Sequence, residues 1–108
     1  MSAEIELTGA NFDAEVTKST KPVIVDFWAP WCGPCKAFMP TLAQFAGQHP
    51  EIKVCKCNVD DAPEIAQQFN VASIPTIIFF KGGKPMDTVV GRKTIAELTT
   101  HAKSSFGS

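Results

Sequence analysis

The 108 residues, 44% hydrophobic and 19% charged, are sized for one compact domain spanning 1–108; two independent cores would be hard to build from so short a chain. Ten Lys and Arg against eleven Asp and Glu leave a net charge of -1 with no basic run, which excludes the electrostatic footprint of a nucleic-acid binder or of a protein drawn to anionic membranes. No apolar stretch reaches the ~18 residues of a membrane-spanning helix, and the segment from Met1 to Glu6 lacks the basic and apolar regions of a secretory leader, so the expected location is the cytoplasm.

Strands and helices alternate along the chain, which predicts an α/β layered domain. Residues 3–7 read as an edge strand and residues 11–19 as a short helix carrying Phe12 and Val16. Residues 23–29 are nearly all apolar or aromatic, as suits a central strand covered on both faces. A helix begins after Gly33 and Pro34; Phe38, Leu42, Phe45 and His49 form its stripe, and Pro40 predicts a kink. Residues 53–59 read as the next strand. Asp61 and Glu64 have the N-cap and N3 chemistry of a helix start, with Pro63 in the first turn; Ile65 and Phe69 supply the apolar face and Asn70 the stop. Residues 76–80 form a third strong strand. Gly82-Gly83 predicts a hairpin turn, with residues 87–90 as the antiparallel partner, and Thr94 to Glu97 is a capping box opening a helix that turns Leu98, Ala102 and Phe106 inward. The order is β-α-β-α-β-α-β-β-α, and the hairpin makes the sheet mixed.

The chemistry lies in Trp31-Cys32-Gly33-Pro34-Cys35, at the junction of a buried strand and a helix. Two cysteines at i and i+3 in a first helical turn come close enough for a disulfide. A helix N-terminus offers unpaired N–H groups and the positive end of its dipole, so it stabilises a thiolate and activates the first cysteine as a nucleophile. Pro34 stands where a missing donor costs little, and Gly33 allows another chain to approach. The four cysteines, C-x2-C and then C-x-C nineteen residues on, also suggest a zinc ribbon, but Cys55 and Cys57 fall in a strand and the two knuckle turns are missing. On a strand these two point to one face with parallel Cβ vectors, poor geometry for a disulfide. They read as small apolar core residues, with a regulatory thiol as the alternative. Asp26 is the one charged residue in the run 23–29, and burial there disfavours its carboxylate. Lys56 reads equally as its partner or as a solvated lysine.

The chain resembles the thioredoxin family over essentially its whole length. Val25 to Lys36 is similar to the family's active-site stretch, Lys56-x-Asn58-Val59-Asp60 to its next strand, Ile74-Pro75-Thr76 to its cis-proline turn, Phe80-Lys81-x-Gly83 to its hairpin, and Val90-Gly91 to the segment beyond. The resemblance implies a thioredoxin fold, a central mixed five-stranded sheet flanked by about four helices. It implies reduction of protein disulfides without a bound cofactor or metal, with electrons drawn from NADPH through a thioredoxin reductase; a monomer is the default expectation, since no large exposed apolar helix face is evident in the sequence. Cys32 would be the exposed attacking thiolate, Cys35 the deeper resolving thiol, Asp26 its base and Lys56 the partner of Asp26. A cis bond at Ile74–Pro75 would turn the Ile74 backbone toward an extended client peptide. Trp31, Gly33, Pro34, Ile74, Pro75 and Gly91 would form the apolar docking surface, with Trp28 packing beside the site.

Ala72-Ser73 and Arg92 depart from the commonest family pattern at rim positions, which bears on partner preference. The Gly33-Pro34 dipeptide is similar to that of reductants rather than of oxidising relatives, which often carry His there. A competing reading of another class is a redox-independent binding or chaperone subunit of another complex.

Overall fold

The computed structural model describes residues 4–107. Five strands, β1 (Ile5–Leu7), β2 (Val23–Trp28), β3 (Lys53–Asn58), β4 (Thr76–Lys81) and β5 (Lys84–Val90), form one sheet in the order β1-β3-β2-β4-β5. The β1–β3 and β3–β2 pairs are parallel, while β2–β4 and β4–β5 are antiparallel. Three α-helices, α1 (Gly33–Gln48), α2 (Pro63–Gln68) and α3 (Ile95–Phe106), and one π-helical turn at Asp13–Thr17 flank it. This is the mixed sheet with four helices that the sequence implies; residue 3 of the expected edge strand lies outside the described residues.

The uninterrupted apolar runs of β2 and β4 follow from burial on both faces. On one face Val25, Phe27, Cys55, Cys57, Ile78 and Phe80 pack against Phe12, Val16 and Ile65. On the other, Ile24, Val54, Ile77 and Phe79 pack against Phe38, Leu42 and Phe45 of α1 and Leu98 and Ala102 of α3. Each such side chain contributes about 1.5–3 kcal/mol when fully buried. Phe27, Phe38, Phe45, Phe79 and Phe80 are all under 2% exposed, a surplus large enough for the sheet to hold one buried carboxyl group, Asp26.

Local chemistry sets most element ends. Thr94 Oγ1 accepts from the Glu97 amide at 3.1 Å and Glu97 Oε1 from the Thr94 amide at 3.0 Å, the expected capping box. Asn70 ends α2 with φ +57°, while its amide and that of Val71 bond the Gln67 and Ala66 carbonyls. The start of α2 corrects the expectation for Asp61: the N-cap is Ala62, without a side-chain cap. The Asp61 and Ala62 amides both bond the Asn58 carbonyl, at 3.1 and 3.0 Å, so a backbone turn from β3 delivers the chain to Pro63. The helix α1 continues through Pro40 to Gln48. The partner strand β5 starts at Lys84 rather than at residue 87, because a two-residue turn brings Lys84 directly opposite Lys81. Pro85, which has no amide to donate, is tolerated on that edge strand.

The hairpin turn needs its glycines unequally. Gly82 and Gly83 have φ of +60° and +79°; a Cβ on Gly82 would meet open space, whereas one on Gly83 would stand 2.6 Å from the Thr17 carbonyl oxygen. Gly82→Ala is expected to lower stability by about 1 kcal/mol and Gly83→Ala by about 2 kcal/mol or more in urea unfolding. Equal losses would show that the contact with Thr17 is without consequence.

Candidate active site

Cys32 and Cys35 form a disulfide at the start of α1, where β2 ends. Cys32 is the N-cap: its backbone is extended, with φ -90° and ψ 108°, and its Sγ accepts the Cys35 amide at 3.2 Å. Gly33 and Pro34 occupy the first helical positions and lie exposed. A sulfur in the N-cap position takes the place of a capping oxygen and faces the positive end of the helix dipole. The same amide therefore serves a Cys32 thiolate once the disulfide is reduced. Cys35 is fully buried, as the sequence implies. Cys32 is not the exposed thiol expected: it is 6% accessible, folded against its own helix and packed with Ala29, Trp28, Val59 and Ile74.

Asp26 is fully buried in the middle of β2. Ile24, two residues before it on the same face, packs against α1, and Trp28, two residues after it, packs against the cysteine pair. Asp26 therefore lies beneath the first turns of α1. Among the described residues neither of its carboxyl oxygens has a hydrogen-bond partner. Burial first, and then the charge of Glu4, push its pKa from 3.8 up to about 7, while Lys56 pulls it down. Lys56 stands opposite Asp26 in the ladder, but its Nζ lies 5.9 Å from the centre of the Trp28 ring, so its charge reaches Asp26 through space rather than through an ion pair.

Three segments form the rim. The Ile74–Pro75 bond is cis, and the Ile74 carbonyl oxygen stands 3.9 Å from Cys32 Sγ. Gly91, with φ +93°, donates its amide to the Pro75 carbonyl at 2.8 Å, which draws the end of β5 to the proline turn. Trp31 is 70% exposed and its Nε1 donates to Asp60 Oδ2 at 2.9 Å. Asp60 is held in turn by its own amide on Asn58 Oδ1 at 2.9 Å. The structure thus brings Trp31, Cys32, Gly33, Pro34, Cys35, Ile74, Pro75 and Gly91 to one end of the sheet, with Asp26, Trp28 and Lys56 below. Sequence reasoning gave no role to Asp60 or Glu4. Asp60 carried a signal, its place in the Lys56 to Asp60 motif; Glu4 carried none, because only strand order sets it near Asp26.

Cys55 and Cys57 are fully buried and unpaired on the opposite face, and desolvation pushes both thiols up to about 12. They are core residues kept as thiols. Among the described residues no three His, Cys, Asp or Glu side chains come together as a group able to hold a metal.

A nearly buried disulfide on a helix N-terminus, edged by a cis-proline turn and exposed apolar surface, defines a dithiol–disulfide oxidoreductase whose two sulfurs carry the electrons without a bound cofactor. The thioredoxin family model matches residues 3–104, and the chain belongs to the thioredoxin family. It is 49% identical over 92 residues to Thioredoxin 1 of Nostoc, covering 84% of this chain and 86% of that one. It is 49% identical over 98 residues to thioredoxin of Mycobacterium tuberculosis, covering 90% of this chain and 84% of that one. It is also 52% identical over 95 residues to a bifunctional thioredoxin reductase/thioredoxin of Mycobacterium leprae, where it spans 87% of its own length but only 21% of that protein. The chain is accordingly a reductase of protein disulfides acting through Cys32 and Cys35; a redox-independent binding subunit is the less favoured reading, because it gives the disulfide no task.

Proposed function

We propose that Cys32 is the nucleophile, Cys35 the resolving thiol and Asp26 the base, in a monomeric cytoplasmic domain re-reduced by a thioredoxin reductase at the expense of NADPH. The Cys32 thiolate attacks one client sulfur, and the other leaves as a thiolate and takes a proton from water. Cys35 gives its proton to the Asp26 carboxylate. The Cys35 thiolate then attacks Cys32 Sγ, releasing the reduced client and leaving the Cys32–Cys35 disulfide. Asp26 supports this reading most directly: it is buried beneath Cys35's helix, without a hydrogen-bond partner among the described residues, with a pKa pushed up to about 7, near the operating pH. Lys56 partners it by holding part of its population ionised. Trp31, Gly33, Pro34, Ile74, Pro75 and Gly91 seat the client, and the Ile74 carbonyl is an acceptor for an extended peptide.

Work as a reductant supports the cytoplasm; no described helix is long and apolar enough to cross a membrane. One sheet carrying one site supports a single domain over 1–108. The reductase fusion in Mycobacterium leprae supports the choice of electron donor. NADPH oxidation with a thioredoxin reductase and insulin tests the reading, and steady turnover is expected. No turnover, with the disulfide still reducible by dithiothreitol, would overturn the assigned donor.

A further inference from the structure

We propose that Arg92 is a specificity residue that favours clients carrying an acidic side chain about three residues from the attacked cysteine. The inference rests on Ile74, Pro75 and Gly91 seating the client. Strand order fixes where Arg92 stands. At one end of the sheet Trp28 of β2 opposes Asn58 of β3, Phe27 opposes Thr76 of β4, and Thr76 opposes Val90 of β5. The disulfide lies just past the end of β2. The exit of β3, leading to Asp60, therefore flanks it on one side, and the exit of β5, leading to Arg92, on the other. Neighbouring strands lie ~4.8 Å apart, so β5 ends roughly 10 Å from β2, a span of about three residues of extended peptide. The Gly91 amide bonds the Pro75 carbonyl at 2.8 Å, which ties the residue before Arg92 to the client seat.

The two flanks are opposite in sign. On the β3 side Asp60 and Asp61 are exposed, and Asp60 is held in place by the Trp31 indole. On the β5 side Arg92, Lys93 and Thr94 line a groove of about 300 Å³ with Ala37, Phe38 and Thr41 of α1, the helix that Cys32 caps. The acid in the first turn of α3, Glu97, is turned back to accept the Thr94 amide at 3.0 Å. Lys93 is turned back as well, its Nζ donating to the Val90 carbonyl at 3.2 Å. Arg92 is exposed and makes no hydrogen bond or ion pair among the described residues. Its planar guanidinium fork is free to take a carboxylate that the client brings. An acidic side chain is attracted on this flank and repelled on the other, so the same charges set the direction in which a client lies.

The test uses the full chain and symmetric peptide disulfides, two copies of one peptide joined through their only cysteine. The peptides are identical except for Glu or Gln about three residues before or after that cysteine. On one of the two sides wild type is expected to show a kcat/KM about two- to fivefold higher for Glu than for Gln, the size that suits an exposed charge pair, and to lose the difference in ~1 M salt. Arg92→Gln should abolish the preference, Arg92→Lys retain part of it and Arg92→Glu invert it. Lys103→Gln removes the same charge at the far end of α3, beside Pro22 and His49, and should keep the preference. A preference lost equally in Lys103→Gln, or a fall in Arg92→Gln shared by the Glu and Gln peptides, would overturn the role of Arg92. Methylating the client amide next to the cysteine removes a donor to the Ile74 carbonyl and should slow reduction. An unchanged rate would overturn the seat and the role of Arg92 with it; a slowed rate with Glu and Gln reduced alike would overturn Arg92 alone.

Discussion

Cys32→Ser is expected to lose insulin reduction by about a thousandfold or more, while Cys35→Ser still attacks and then stalls. The asymmetry comes from the helix start. Cys32 Sγ, as N-cap, accepts the Cys35 amide, and a thiolate there gains from that donor and from the dipole. A serine hydroxyl can fill the same cap, so Cys32→Ser should keep its fold and thermal midpoint in the reduced state while losing its nucleophile. In Cys35→Ser the attack on a client proceeds and no second thiol follows, so a covalent adduct should accumulate on non-reducing gels and dissolve with dithiothreitol. Residual turnover above a tenth of wild type in Cys32→Ser would sink Cys32 as nucleophile. A failure of Cys35→Ser to trap any client would sink the order of the two steps.

Asp26 predicts an unusual pH dependence of stability. Its carboxyl holds a proton more tightly in the folded chain, where its pKa is about 7, than in the unfolded chain, where it is near 3.8. The folded state therefore binds more protons between those values, and stability falls as pH rises through that window. The contribution is fully present below about pH 4, is lost progressively up to about pH 7, and levels off above it. Between pH 5 and pH 8 the loss from this group is roughly 2–3 kcal/mol. Asp26→Asn removes the titrating group, so its unfolding free energy in urea should lack that decline. It should also slow resolution of the mixed disulfide near neutral pH, because Cys35 then has no buried acceptor for its proton. The same pH slope in wild type and variant would show that Asp26 ionises as a solvated carboxyl does; unchanged mixed-disulfide lifetimes would remove it as the base.

The legible parts of this chain were those decided by neighbours in sequence. The run from Val23 to Trp28, the Phe38, Leu42 and Phe45 stripe, the Thr94–Glu97 capping box, the Gly82-Gly83 turn and Asn70 as a helix stop all depend on contacts within a few residues, so spacing alone revealed them. The same holds for Cys32 and Cys35, whose distance is set by one helical turn. Asp61 misled because its chemistry suits a cap, yet the Asn58 carbonyl had already taken the Asp61 and Ala62 amides.

What only the tertiary structure decided is what crosses strands. A parallel neighbour can come from anywhere in the chain, and nothing local to residue 4 places it near residue 26. The near-burial of Cys32, the turn of Lys56 toward the Trp28 ring, the Trp31–Asp60 bond and the charge of Glu4 on Asp26 all arise from the order β1-β3-β2 and from α1 lying across it. The sequence by itself determined which atoms react, because a reactive pair is one turn of helix. The charges gathered around the buried Asp26 were left to the sheet, because charge acts through space and space is organised by packing.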